Sequence, residues 1–161
     1  CCQMNDELRS SPKLISFVCA WEKFAAKPYL DQGNLLTWGY GHLQKPGEVP
    51  PRIITEQEAA RIMAIDLIDA ERSVKRGVTV KLTQQQFDAL VSLAFNCGES
   101  SVNGSTLVGM INQGWVEKGA GQFARWNKVR VKGKLVPSNG LTKRRSAEQR
   151  IFVEGVYDST H

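Results

Sequence analysis

The sequence predicts an α+β protein, mostly helical, with a small antiparallel β hairpin or sheet near its N-terminal end. Two capping boxes, Thr55 with Glu58 and Thr83 with Gln86, announce well-formed helices. Between Pro28 and His42 the apolar pattern switches from helical spacing to alternation around a turn. No internal repeat, low-complexity run or long linker divides the chain, and 161 residues at 17.9 kDa is the length of one domain.

Taken in order, residues 1–10 are expected to be a flexible or truncated tail. Ser11-Pro12 is a helix start, with Ser11 as N-cap and Pro12 in the first helical position. Leu14, Phe17, Val18 and Trp21 then recur at the spacing of one buried helix face. Pro28 disfavours helical geometry at Lys27, which puts the helix end between Glu22 and Ala26. Gln32-Gly33-Asn34 is turn chemistry, flanked by Tyr29-Leu30 and by the alternating Leu36, Trp38 and Tyr40. A hairpin is expected there, with a third short strand before the Pro46-Gly47 and Pro50-Pro51 breaks. The small β lobe thus spans about 28–55.

Thr55 opens a long connecting helix over 56–76, and 77–161 form a helical lobe. Thr83 opens a helix through Phe87, Leu90, Val91, Ala94 and Phe95. A further helix runs from Thr106 to Gln113 and stops at Gly114. Trp115 to Trp126 reads as helical but weakened by Gly119 and Gly121. Lys128 to Val136 reads as an exposed loop or ribbon, and Leu141 to Val153 as a closing helix.

Composition excludes several classes. Hydrophobic residues are 42% and charged residues 23%, a globular balance. The longest nearly apolar stretch, Leu14 to Trp21, is eight residues, and a membrane-spanning helix needs about 20. No signal-peptide pattern is present, although the chain begins with Cys1, so upstream residues and any address they carried are expected to have been removed. The net charge of +5 is a moderate bias toward polyanions. Four cysteines (Cys1, Cys2, Cys19 and Cys97) and two histidines (His42 and His161) show no zinc-binding spacing, so no metal or organic cofactor is expected. Cys19 and Cys97 lie in apolar stretches and read as small buried hydrophobes. Whether Cys1 or Cys2 forms a bridge is open.

Candidate chemistry begins at Glu22. It follows the core residue Trp21 at a helix end, where the negative end of the helix dipole and the indole both disfavour a carboxylate. A carboxyl that keeps its proton is what a general acid requires. Taken alone, Glu22 reads as a solvated helix end, Asp31 as an ordinary turn aspartate, and Thr37 as a good strand former. Together they place an acid at a helix end and an Asp and a hydroxyl on the adjacent hairpin, and two carboxyls in unlike surroundings are the recurring requirement for glycosidic cleavage.

The segment from Glu22 through Asp31, followed by Thr37-Trp38-Gly39-Tyr40-Gly41-His42, resembles the signature of phage-type lysozymes, the endolysin muramidases. Gln86 to Asn96 resembles that family's central buried helix, and Gly140-Leu141-Thr142-Lys143-Arg144-Arg145-Ser146-Ala147-Glu148 its C-terminal helix. The likeness covers about residues 12–155. It implies a two-lobe fold with a cleft between the β lobe and the helical lobe. It also implies that Glu22 is the general acid, that Asp31 positions or activates the attacking water, and that Thr37 helps to hold it. Leu43, Phe95 and Thr106 match positions lining the saccharide cleft, and His42 matches a structural hydrogen-bonding residue. The implied substrate is the β-1,4 bond between N-acetylmuramic acid and N-acetylglucosamine in peptidoglycan. The implied setting is a monomeric phage-encoded protein acting on the host wall, in the periplasm or from the host cytoplasm before release, without nucleic acid.

Two departures from the family pattern stand out. Lys23 replaces the usual Gly after the acid, at a conformational cost if that residue must be left-handed. Asn34 replaces the usual turn Gly, which Asn tolerates. Three other readings stay open: a nucleic-acid surface on Lys128 to Lys134 and Lys143 to Arg145, which are otherwise a solvated basic face, a glycan-binding module without turnover, and a lytic transglycosylase.

Overall fold

The computed structural model describes residues 4–161; Cys1 and Cys2 lie outside the described residues. Residues 5–10, expected as part of a flexible or truncated tail, make hydrogen bonds to the body. Asn5 is buried because its side chain serves the backbone of residues 80–82: Nδ2 donates to Val80 O and Oδ1 accepts from Leu82 N, both at 2.9 Å.

Helix α1, Pro12–Trp21, starts where expected, with Ser11 Oγ accepting from Leu14 N. Glu22 caps its C-terminus in extended geometry, so the chain turns straight into strand β1, Ala25–Leu30. The strand begins three residues before Pro28. The proline is accommodated because β1 is an edge strand whose register shifts between Ala25 and Tyr29, where a missing N–H does no harm. Strands β2, Leu36–Gly39, and β3, His42–Leu43, complete an antiparallel sheet in the order β1-β2-β3. Asn34 takes the left-handed turn position at φ 60°. Lys23 is not left-handed, because the extended Glu22 removes the need for it.

The single connecting helix expected over 56–76 is two helices, α2, Glu56–Asp66, and α3, Ile68–Gly77, jointed at the fully buried Leu67. The joint lets α2 pack on α1 and the sheet while α3 packs on the helical lobe. Helix α4, Gln84–Cys97, is the axis of that lobe; every residue from Phe87 to Ala94 is buried. The short α5, Glu99–Asn103, has no sequence signature because five residues are too few to show a period. Helix α6, Thr106–Asn112, follows. The weakened helix expected over 115–126 resolves into α7, Val116–Gly121, and a 3₁₀ turn, Gln122–Arg125. Gly119 is required there, since a Cβ would stand 2.8 Å from Ile111 Cγ1 on α6. Strands β4, Lys128–Val131, and β5, Lys134–Pro137, form an exposed ribbon, and α8, Asn139–Glu154, closes the fold.

The main core surrounds α4, while a smaller cluster of Trp38, Ile54 and Ala59 sits under the sheet. Tyr40 packs against both. The protein is therefore α+β, mostly helical, with two lobes joined through α2 and α3.

Candidate active site

The extended cap at Glu22 aims its carboxyl at the turn between β2 and β3. Gly41 there has φ 77°, and a Cβ on it would lie 3.8 Å from Glu22 Oε2, so the glycine both makes the turn and keeps space beside the carboxyl. On the other side Arg144 of α8 donates from Nη1 to Glu22 Oε1 at 3.2 Å. Glu22 is half-buried, with 28% side-chain exposure against 5% for Arg144.

Asp31 follows β1 at the turn end of the hairpin. Its Oδ1 accepts from Gly33 N at 2.9 Å and Leu35 N at 2.8 Å, which ties the carboxyl across the turn. Thr37 lies on β2, paired with Tyr29 on one side and Leu43 on the other. It is buried, and its hydroxyl donates to Leu35 O at 3.1 Å, which leaves the oxygen's lone pairs as acceptors.

A groove of about 620 Å³ runs between the lobes, lined by Gly41, Leu43 and Lys45 from the sheet side and by Ile65, Asp69 and Phe95 from the helical side. The structure therefore brings Leu43 and Phe95 to one groove, beside the Glu22 turn. Phe95, Asp66 and Asp69 also line a second depression of about 440 Å³ that reaches Gly98 to Ser101, so the channel continues toward α5. Thr106 is exposed at the first position of α6; like Glu22, Asp31 and Thr37, it is not itself among the residues lining these two depressions.

His42 is buried beneath the groove between two carboxylates. Nδ1 lies 2.8 Å from Asp66 Oδ2 and Nε2 lies 2.9 Å from Glu48 Oε1. Burial alone would lower the imidazole pKa, but the hydrogen bonds to Glu48 and Asp66 outweigh it and the net shift is upward. The Lys45 backbone amide and His42 together hold Glu48 below its ordinary value.

Sequence reasoning missed the network behind Glu22. Arg144 and Arg145, expected on a solvated basic face, are buried. Glu148, fully buried, pairs with Arg145 Nε at 2.7 Å and Arg144 Nε at 3.6 Å, and Ser92 Oγ donates to it. The i,i+3 and i,i+4 spacing of two arginines and a glutamate was a readable sign of pairing; that the pairs are buried was not. Burial raises the Glu148 pKa, opposed by Arg145 and Arg144. Cys19 is buried and its thiol is pushed up to about 11 by burial and by the nearby Glu22. Cys97 is only half-buried and meets Arg145 Nη1, so it is less of a simple core residue than expected.

The phage lysozyme family model matches residues 19–148. The endolysin of Acyrthosiphon pisum secondary endosymbiont phage 1 is 33% identical over 144 residues, covering 88% of this chain and 96% of that protein. The Bacillus phage B103 endolysin is 35% identical over 143 residues, and there the chain spans about half of the relative, 52%. Among solved structures, an endolysin from Escherichia coli O157:H7 phage FAHEc1 superposes with a TM-score of 0.85 at 32% identity, covering 94% of this chain and 98% of that one. The muramidase domain of SpmX from Asticaccaulis excentricus gives 0.83 at 25% identity, covering 91% and 99%. Both the two-lobe fold and the matched span of sequence place the chain in the phage lysozyme family.

Proposed function

We propose that Glu22 protonates the glycosidic oxygen between N-acetylmuramic acid and N-acetylglucosamine, that Asp31 positions or activates the attacking water, and that Thr37 helps to hold that water. Family membership makes the chain a lysozyme-type glycoside hydrolase of peptidoglycan. The observation that carries the residue assignment is the placement of the Glu22 carboxyl against Gly41, at the edge of the groove between the lobes. Three further features support it. Arg144 fixes the Glu22 side chain, the Asp31 turn leaves Oδ2 without a protein partner among the described residues, and Thr37 stands on the strand paired with β1. Leu43 and Phe95 supply apolar surface for sugar rings, and Asp69 and Lys45 supply polar edges. Thr106 is not part of this proposal. The chemistry needs only carboxyl groups and water.

The protein acts as a monomer on the host wall, carried there as a phage lysis enzyme. Among the described residues no helix is long and apolar enough to cross a membrane.

The test is digestion of purified peptidoglycan by the wild-type chain and by Glu22→Gln, with products identified by mass spectrometry. Reducing muramic-acid ends released by wild type alone are expected. Release by both proteins would sink the Glu22 assignment, anhydro ends would make the enzyme a lytic transglycosylase, and binding without release would make it a glycan-binding module.

A further inference from the structure

Charge is unevenly distributed along this chain. Nine of the 21 Lys and Arg and none of the 16 Asp and Glu fall within residues 118–147. The remainder holds twelve cations against sixteen acids, so the net +5 combines an intensely basic segment with an acidic body. Arg144 and Arg145 are turned inward and engaged by Glu22 and Glu148. The other cations of the segment are exposed, and among the described residues none of them pairs with a carboxylate.

Four of them, Lys128, Arg130, Lys132 and Lys134, stand on the β4–β5 ribbon. Lys132 and Gly133 form its tip with φ 49° and 80°, both left-handed, which makes a tight two-residue hairpin whose twist matches its strands. Ser138 N donates to Asn127 O at 2.8 Å and closes the base, so the ribbon is a defined element and not a loose loop. Apolar side chains interleave with the cations and are left uncovered. Val129 and Val131 share one face with Val136 across the pair, while Leu135 sits opposite Arg130 on the other. Val131 is 49% and Leu135 61% exposed.

A polyanion dissolved in water would use the cations but gain nothing from Val131 and Leu135. An anionic bilayer uses both: headgroup phosphates meet the exposed basic side chains, of which Lys128 Nζ donates to Asn127 Oδ1 at 3.0 Å and Arg130 Nη1 to Gly133 O at 2.9 Å, while the apolar side chains beside the tip enter the acyl boundary. We propose that the β4–β5 ribbon is a docking element for an anionic phospholipid surface that it meets tip first, held by its four cations and seated by Val131 and Leu135, which flank the Lys132-Gly133 tip from opposite faces. The proposal concerns binding and does not depend on the catalytic assignment.

The test is co-sedimentation of the full chain with phosphatidylcholine vesicles, with and without phosphatidylglycerol. Each basic residue near an anionic surface contributes about fivefold in binding, and the attraction fades beyond a Debye length of about 8 Å in physiological salt. Binding is expected only with phosphatidylglycerol. It is expected to weaken more than about tenfold when Lys128, Arg130 and Lys132 are all changed to Gln. It is also expected to weaken severalfold in Val131→Ser/Leu135→Ser, which keeps every charge. These side chains are surface-exposed, and circular dichroism of each variant confirms its folding. No binding to anionic vesicles would overturn the proposal. So would Val131→Ser/Leu135→Ser binding as wild type, or a DNA duplex or soluble polyphosphate binding as tightly as the vesicles; either would show a surface that answers to negative charge alone.

Discussion

Arg144 Nη1 donates to Glu22 Oε1 at 3.2 Å across 122 residues of sequence, so the last helix holds the carboxyl that ends the first. Behind it Glu148 faces both Arg144 and Arg145, and Arg145 reaches on to Asn96 at 2.6 Å on α4. The acid is therefore braced from the helical lobe while it opens toward the sheet.

Replacing Arg144 by Lys keeps the charge but loses the planar fork that serves Glu22 and Glu148 together. Arg144→Lys is expected to lower turnover about tenfold or more while KM changes little, because the acid loses its orientation and not its saccharide contacts. Steady-state kinetics on soluble glycan checks this, and a rise in KM alone would show that Arg144 serves binding. Glu148→Gln leaves two buried guanidinium groups short of their counter-charge. It is expected to cost about 3–5 kcal/mol of stability, measured by denaturant unfolding.

The role proposed for Asp31 in catalysis is separable from its part in the turn. Its Oδ1 accepts the Gly33 and Leu35 amides, and an amide oxygen can accept them as well. Asp31→Asn is expected to preserve the turn, with stability within about 0.5 kcal/mol of wild type, yet to lose about 100-fold or more in turnover. Asp31→Ala is expected to lose the same activity and, in addition, about 1 kcal/mol of stability. Near-normal turnover in the Asn variant would confine Asp31 to a structural role.

The His42 cluster sets a pH window for stability. Asp66, Glu48 and, through Asp66, Lys45 at 4.0 Å surround the ring. The pKa of His42 is raised above its ordinary 6.5, so its contribution is complete below about pH 6.5 and is lost as pH rises through the raised value. The pKa of Glu48 is lowered from 4.5, so its contribution is complete above about pH 4.5 and is lost as pH falls through the lowered value. The cluster is most stabilising between these limits. His42→Gln is expected to cost about 2–3 kcal/mol at roughly pH 5.5 and clearly less at roughly pH 8, read from unfolding midpoints at the two values. An equal loss at both would mean that the imidazole's charge plays no part.

Leu43 is 45% exposed on the wall of the groove, so shortening it removes a proposed saccharide contact and little of the core. Leu43→Ala is expected to raise KM about threefold to tenfold with kcat nearly unchanged, as the loss of about 1 kcal/mol of apolar contact requires. Thr106→Ala is expected to leave both constants within about twofold, since Thr106 lies outside the groove lining. Measured KM values for oligosaccharide cleavage distinguish the two positions.

Local chemistry was legible from sequence wherever neighbouring residues decide the outcome. Ser11 with Pro12, Thr55 with Glu58 and Thr83 with Gln86 start helices in the structure as their spacing required, because a cap is a bond within one turn of chain. The hairpin turn through Asn34 and the closing helix are local in the same sense. The joint at Leu67 could not be read this way, since α2 and α3 part company only to satisfy different packing partners. Nor could the fate of Asn5, which is buried by bonds to residues more than 70 positions away.

The sequence by itself determined the α+β class, the starts of three of its helices and the three candidate residues around one hairpin. Only the tertiary structure decided which charges are buried. A basic triplet such as Lys143-Arg144-Arg145 looks uniform along the chain, yet one turn of helix exposes Lys143 and buries its two neighbours against Glu22, Glu148 and α4. Burial is a property of what lies opposite a side chain, and for Arg144 that partner is 122 residues away.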